Sequence, residues 1–141
     1  MGAESKLMSG GEAIVDALVR NGVDTVFGIP GVQLDPLFDA FYKSKNQIKV
    51  IHTRHEQGAG YMALGYAQAT GKVGTAVVVP GPGMLNAAAA IATGYSLNSQ
   101  MLWIVGQIPS KLIGKGTGQL HELPDQLGIA KSLTKWAARI K

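Results

Sequence analysis

Apolar residues recur at helical spacing in five stretches of this chain, and each stretch predicts a helix. The first begins at Ser9, which forms a capping box with Glu12, and it ends at Asn21-Gly22. The third has an alanine at every fourth position, which leaves one smooth face, and the fourth is apolar nearly all round. The other predicted helices span residues 34–41, 55–70, 84–97 and 125–132.

Short apolar and β-branched runs lie between the helices and predict strands. The predicted strands span residues 25–29, 47–52, 74–80 and 101–106, with a last one at 134–140. Strands that alternate with helices form a parallel β-sheet flanked by helices on both faces, so the predicted fold class is α/β. Ligands of such folds bind outside the carboxyl ends of the strands, where the turns and the glycine-rich loop 107–122 should gather.

Composition narrows the classes of function. The 141 residues are 46% hydrophobic, enough for one domain, which we assign to residues 9–141 after a leader of residues 1–8. The absence of cysteine excludes disulfides and thiolate metal sites. The net charge of +4 is scattered and gives no basic stripe for nucleic acid. No apolar run is long enough to span a membrane, so we expect a cytoplasmic protein.

Two short segments contain candidate functional residues. Glu56 stands at the mouth of the third helix, where the helix N-terminus favours its ionised form and neighbouring apolar residues partly desolvate it. Such a carboxylate can hold or move a proton, or it can simply favour the helix dipole. The Gly81-Pro82-Gly83-Met84-Leu85-Asn86 segment is a tight strand-to-helix turn or a backbone cradle for a flat ring or an anion. Neither a dinucleotide fingerprint nor a P-loop is present, and the histidines do not predict a metal site.

Three ordered motifs together resemble one protein family. They are Phe27-Gly28-Ile29-Pro30-Gly31, Arg54-His55-Glu56-Gln57-Gly58-Ala59 and the Gly81 to Asn86 turn. In order and spacing they resemble the N-terminal pyrimidine-binding (PYR) domain of thiamine-diphosphate enzymes. The similarity is greatest to the group of acetolactate synthase, benzaldehyde lyase and benzoylformate decarboxylase.

The resemblance implies a role for each matching position. Glu56 matches the glutamate that hydrogen-bonds N1′ of the aminopyrimidine and so activates the cofactor. His121 stands where acetolactate synthases have glutamine, and it is either a second catalytic group near the substrate or an exposed loop histidine. Val32 and Gln33 are implied to face the substrate. The implied cofactor-binding residues are Pro30, Gly31, Glu56, Gly81, Pro82, Gly83 and Asn86.

The resemblance also implies what surrounds the chain. The cofactor would be thiamine diphosphate, and the substrate a small 2-oxo acid or an aldehyde. The family holds Mg²⁺ on a separate PP domain through a Gly-Asp-Gly motif, which is absent from this sequence. We therefore expect one domain of a longer decarboxylase or carboligase, or a PYR subunit with a PP partner, that is inactive alone. A homodimer is expected through the 84–97 helix and the Ala59, Ala63 and Ala67 face.

Two alternative functions remain open from the residues alone. The Gly81-Pro82-Gly83 turn could cradle the anion of a nucleotide or a phosphorylated sugar. The chain could also be an assembly domain that has kept the fold without the chemistry.

Overall fold

The computed structural model describes residues 7–140 as a four-stranded parallel sheet between two layers of helices. The leader predicted for residues 1–8 lies outside this range apart from Leu7 and Met8. The strands are β1 (Thr25–Gly28), β2 (Lys49–His52), β3 (Gly74–Val78) and β4 (Met101–Val105). The helices are α1 (Gly10–Arg20), α2 (Asp35–Lys43), α3 (Glu56–Thr70), α4 (Pro82–Ser96) and α5 (Gln126–Leu133), with single 3₁₀ turns at Val32–Leu34 and Ser110–Leu112.

The helix ends follow from local capping. Ser9 accepts a hydrogen bond from the Glu12 backbone, and the Glu12 carboxylate accepts one from the Ser9 backbone, so the predicted capping box is present. Gly71 ends α3 in the left-handed conformation, at a φ of 68° that favours glycine. These local signals place α1 and α3 within a residue or two of their predicted bounds.

The strands lie in the order β2-β1-β3-β4, and every neighbouring pair is parallel. β3 occupies an inner position and is buried along its whole length, as expected for a continuous apolar run. In the register, Gly28 of β1 stands between His52 of β2 and Val77 of β3. The carboxyl ends of three strands therefore meet at one edge, as the sequence predicts.

The two faces of the sheet hold separate apolar clusters. On one face α1 and α2 pack their buried side chains, among them Leu18 and Phe41, against Val26 and Val77. On the other face α3 packs its alanines against Phe27 and Ala76. Apolar side chains thus occupy both sides of β1 and β3, the two central strands.

The predicted role of the alanine face as a subunit contact is wrong. Ala59, Ala63 and Ala67 lie on the buried side of α3, and Ala59 and Ala63 pack on the sheet with no solvent exposure. The residue that lets α4 approach is Gly60, since a Cβ there would lie 2.6 Å from the Ala90 Cβ. The small residues of α3 therefore serve packing within the chain.

The predicted strand at 134–140 is also wrong within the residues described. That segment follows α5 without strand pairing, and its apolar Trp136 and Ile140 are 75% and 79% exposed. A β-type sequence becomes a strand only when a neighbour supplies hydrogen-bond partners, and the described part of the chain supplies none here.

A polar cluster ties α3 to the amino end of β1, away from the edge just described. The Asp24 carboxylate accepts hydrogen bonds from Tyr66, Thr25 and Lys72. The Lys72 ammonium is the largest contribution, followed by the Tyr66 hydroxyl, and together they lower the pKa of Asp24 to about 2.

Candidate functional site

The candidate site lies where the chain leaves the carboxyl ends of the strands. Segments from four places in the sequence meet there: residues 29–33 after β1, 53–56 after β2, 79–83 after β3, and the loop after β4. Parallel register sets this convergence, because every strand of such a sheet points its carboxyl end to the same edge.

Glu56 and Asn86 form a pair across the starts of two helices. Glu56 is the first residue of α3, held there by its N-cap His55, whose Nδ1 accepts a hydrogen bond from the Gln57 backbone at 3.2 Å. Asn86, in the first turns of α4, donates from Nδ2 to Glu56 Oε2 at 2.9 Å. The half-buried Glu56 therefore keeps Oε1 free of this bond. The two motifs that the sequence singled out are in direct contact.

Two glycines leave the backbone bare beside this carboxylate. A Cβ on Gly83 would lie 2.5 Å from a methyl group of Val79 and 3.3 Å from Glu56 Oε1. A Cβ on Gly31 would lie 2.5 Å from the other Val79 methyl group. Val79 therefore fills the space under both turns, and neither turn can accept a side chain without displacement of its neighbours.

The remaining predicted cofactor-binding residues lie next to the turns that contain Gly31 and Gly83. Gly81 adopts a φ of 60° as the N-cap of α4, and a Cβ there would lie 2.6 Å from the His121 backbone oxygen. Pro30 and Pro82 are exposed next to Gly31 and Gly81. The edge thus presents exposed proline rings beside buried or half-buried glycine turns and the half-buried Glu56 carboxylate.

A shallow, open cavity of about 310 Å³ lies on the side of the predicted substrate residues. Val32 is 72% exposed at its rim, and Gln33 donates from Nε2 to the Leu120 backbone oxygen at 3.1 Å. That bond ties the turn after β1 to the loop after β4. The residues that line the cavity are Val32, Gln33, Gln107, Pro109, Gln119 and Leu120.

His121 lies at this edge but is not joined to Glu56. Its backbone rests on Gly81 and adopts a φ of 67°, which is unusual for a residue with a side chain. The ring is half-buried, its Nδ1 has no hydrogen-bond partner, and no hydrogen bond between His121 and Glu56 occurs within residues 7–140.

Sequence reasoning missed the glutamines of this edge. Gln107 and Gln119 line the cavity, and Gln126 donates from Nε2 to the Gly106 backbone oxygen at 2.8 Å. The sequence placed the loop 107–122 at this edge, which includes the first two, but named neither of them as a site residue. Gln126 gave no signal, because it is the first residue of a helix and reaches the site only through the fold.

Between residues 7 and 140, no group of three or more His, Cys, Asp or Glu side chains is placed to hold a metal ion. In that same range no helix has both the length and the apolar character needed to cross a membrane.

The sequence matches a known family over most of its length. The family is described as thiamine pyrophosphate enzyme, N-terminal TPP binding domain, and its model matches residues 8–129.

Individual relatives are similar across nearly the whole chain. A protein of Pseudomonas aeruginosa named probable 2-ketoarginine decarboxylase is 44% identical over 94% of this chain and 23% of its own length. The mitochondrial acetolactate synthase catalytic subunit of Saccharomyces cerevisiae is 39% identical over 95% of this chain and 19% of its own. A probable acetolactate synthase large subunit of Methanocaldococcus jannaschii is 42% identical over 95% and 22%. The chain therefore spans about a fifth of the length of these relatives.

Proposed function

The chain belongs to the family of N-terminal TPP binding domains of thiamine pyrophosphate enzymes, and from that premise we propose that Glu56 activates the cofactor of a 2-oxo acid decarboxylase or carboligase. The observation that supports this role is the contact between Glu56 and Asn86 beside the bare turn at Gly83.

The residues at this edge fit an aminopyrimidine ring. Such a ring offers flat faces and nitrogen atoms at its rim, so it needs close backbone and a few polar groups. Gly83 packs its turn directly against Glu56, and Glu56 supplies a carboxylate that can hydrogen-bond a ring nitrogen.

Each residue at this edge has a distinct proposed role in the reaction. When bound, thiamine diphosphate supplies the nucleophilic carbon of its thiazolium ring. Glu56 holds a proton at N1′ of the aminopyrimidine, and Asn86 fixes one carboxylate oxygen so that the other is free for this contact. The cavity beside Val32 and Gln33 takes the substrate, a small 2-oxo acid or an aldehyde. His121, whose backbone lies against Gly81, is proposed as the second catalytic group near that substrate.

The remaining parts of the cofactor are assigned to a partner domain. We place the diphosphate and its Mg²⁺ on a PP domain, from the same or another chain, because the relatives contain several times more sequence than this domain. The complete enzyme is proposed to act in the cytoplasm. Whether the enzyme carries out decarboxylation or carboligation depends on whether a second substrate enters the site after the 2-oxo acid.

A second copy of the domain is proposed to cover the outer surface of α4. The apolar side chains exposed there include Leu85 at 47% and Tyr95 at 65%, with Ala89 between them. On α3 the neighbouring Tyr61 hydroxyl lies 3.3 Å from the Thr93 hydroxyl and extends the same surface. An exposed apolar surface of this kind on two packed helices suits an isologous dimer.

The substitution Glu56→Gln tests the activating role. In the enzyme completed by its partner domain, we expect hydrogen–deuterium exchange at the thiazolium C2 to slow by about 10²- to 10⁴-fold, since an amide cannot supply a proton to the ring nitrogen N1′. The exchange is followed by NMR after acid quench. Glu12→Gln, the same change in a capping box on the other face of the sheet, should leave exchange unaltered. Unchanged exchange in Glu56→Gln would refute the role.

A further inference from the structure

The first turn of α3 is capped by a histidine. His55 has an extended backbone just before the helix, and its Nδ1 accepts a hydrogen bond from the Gln57 backbone at 3.2 Å. The residues preferred at such a position are serine, threonine, aspartate and asparagine, whose side-chain oxygens accept hydrogen bonds at neutral and at mildly acidic pH. A histidine cap differs from all of these, because protonation of the ring removes its acceptor.

The cap exists only while the imidazole of His55 is neutral. A neutral ring that accepts at Nδ1 carries its one proton on Nε2, and a second proton converts Nδ1 into a donor. That donor would face the Gln57 N–H, so the hydrogen bond between them would be lost. The imidazolium would also place a positive charge at the positive end of the helix dipole. Both effects destabilise the first turn of α3 when His55 is protonated.

The same turn determines where Glu56 lies. The His55 backbone oxygen accepts hydrogen bonds from the Thr53 hydroxyl at 2.9 Å and from the Ala59 N–H at 3.3 Å, so His55 fixes the start of the helix. Glu56 is the next residue, and its carboxylate accepts a hydrogen bond from Asn86 Nδ2 at 2.9 Å. Loss of the cap therefore loosens the residue that carries this carboxylate.

Few other charged groups surround this imidazole. Arg54 and Glu56 are its neighbours in the chain, and His52 ends β2. Helix α3 packs against α4, β1, β3 and β4, and the only titratable side chain of those four elements is Tyr95, near the far end of α4. None of the ion pairs in the described part of the chain includes His55, which is exposed. Solvent protons therefore reach the ring directly.

We propose that His55 is a positioning residue for Glu56: its neutral imidazole holds the carboxylate in place for the cofactor, and its protonation releases the first turn of α3. The inference rests on the proposed function and adds pH control to it. Because histidine side chains change charge between about pH 5 and 8, cofactor activation should weaken as the pH falls through this range.

The experiment measures hydrogen–deuterium exchange at the thiazolium C2 between about pH 8 and pH 5 in the enzyme completed by its partner domain. The wild type is compared with His55→Asn, whose amide oxygen caps a helix without titrating. Because Glu56 and the cofactor are the same in both proteins, the ratio of the two rates at each pH reports the effect of His55. We expect similar rates at about pH 8 and a wild type that is slower by roughly threefold to tenfold at about pH 5.

Two further variants separate the cap from other effects. His55→Ala has no cap at any pH, so it should be slower than His55→Asn by roughly threefold to tenfold throughout. His52→Asn changes the exposed histidine at the end of β2, outside the cap, and should keep the pH-dependent fall of the wild type. A residue that served only the stability of the fold would give ratios that do not change with pH.

A second measurement needs no variant. In NMR spectra of the chain, the Gln57 amide should titrate together with the His55 ring, and its protection factor should fall by roughly threefold to tenfold on protonation.

The proposal is overturned by any of four results. They are a Gln57 amide that does not titrate, a constant ratio between wild type and His55→Asn, a wild-type profile in His55→Ala, and loss of the pH-dependent fall in His52→Asn. If Glu56→Gln still slows C2 exchange in those cases, the proposed function stands without pH control. Exchange insensitive to Glu56→Gln would instead refute the proposed function, and the Gln57 titration would then still test the cap.

Discussion

The close contact between α3 and α4 predicts opposite effects for two glycine substitutions in the same helix. In Gly60→Ala the new Cβ would lie 2.6 Å from the Ala90 Cβ and 3.4 Å from the Ala87 oxygen. Gly65, further along α3, is exposed, and a Cβ there would have no atom within 4 Å. Both sites lie in α3 and receive the same substitution, so the comparison depends on which atoms the new methyl group contacts.

The magnitudes follow from two opposing effects. Alanine in place of glycine stabilises a helix interior by about 1 kcal/mol at either site. At residue 60 the 2.6 Å approach is about 1 Å short of ordinary carbon–carbon contact, and overpacking of this kind costs about 1–3 kcal/mol. Neither Cβ can rotate away, so the two helices must separate. We expect Gly60→Ala to lower the free energy of unfolding by about 1 kcal/mol and Gly65→Ala to raise it by about 0.5–1 kcal/mol.

Urea denaturation followed by circular dichroism measures both variants against the wild type. A shift of the midpoint without a change in slope would show that stability alone has changed. If Gly60→Ala were as stable as Gly65→Ala, the helices would not be in the close contact described.

Two further predictions concern the amino end of the sheet and the outer surface of α4. Asp24→Asn should lower the free energy of unfolding by about 1 kcal/mol at pH 7, a figure reduced for the 46% exposure of Asp24. The pKa of Asp24 is about 2 in the folded state, below its unfolded value, so this contribution is complete above pH 4 and disappears as the pH falls towards 2. Acid titrations of the wild type and of Asp24→Asn measure the difference. Ala89→Glu should convert the proposed dimer to a monomer in sedimentation experiments. Ala13→Glu should not, because Ala13 is exposed on the other face of the sheet. A wild type that is monomeric at high concentration would contradict the dimer.

Much of the fold could be read from local signals. The capping box at Ser9, the left-handed Gly71 and the apolar run of β3 each act over a few residues, so the sequence predicted the elements they begin, end or form. Parallel pairing followed from the alternation of strands and helices, because antiparallel neighbours would need short hairpins instead.

The candidate site was predicted where residues lie in recognisable motifs. Glu56 and Asn86 are 30 residues apart in the chain, and their contact follows from two helices that begin at the same sheet edge. Gln126 could not be predicted, because its amide meets Gly106 only after α5 has packed against α4. A polar residue at a helix start has no sequence pattern that distinguishes such a role.

The wrong predictions share one cause. The alanine face of α3 and the β-type run at 134–140 each have a local pattern that fits two environments. Small residues suit a helix partner or a sheet equally, and the sheet takes the alanines in this fold. A β-type run needs an adjacent strand, and none pairs with 134–140 among the described residues.

The sequence by itself determined the places of the five helices and of four of the five predicted strands, the parallel α/β class, and which edge would gather the candidate site, because these depend on capping, periodicity and strand direction. Only the tertiary structure decided which face of α3 is buried, that Gly60 sets its approach to α4, and that Gln126 donates a hydrogen bond to the residue that follows β4. Those features depend on distances between segments far apart in the chain, and no local pattern encodes such distances.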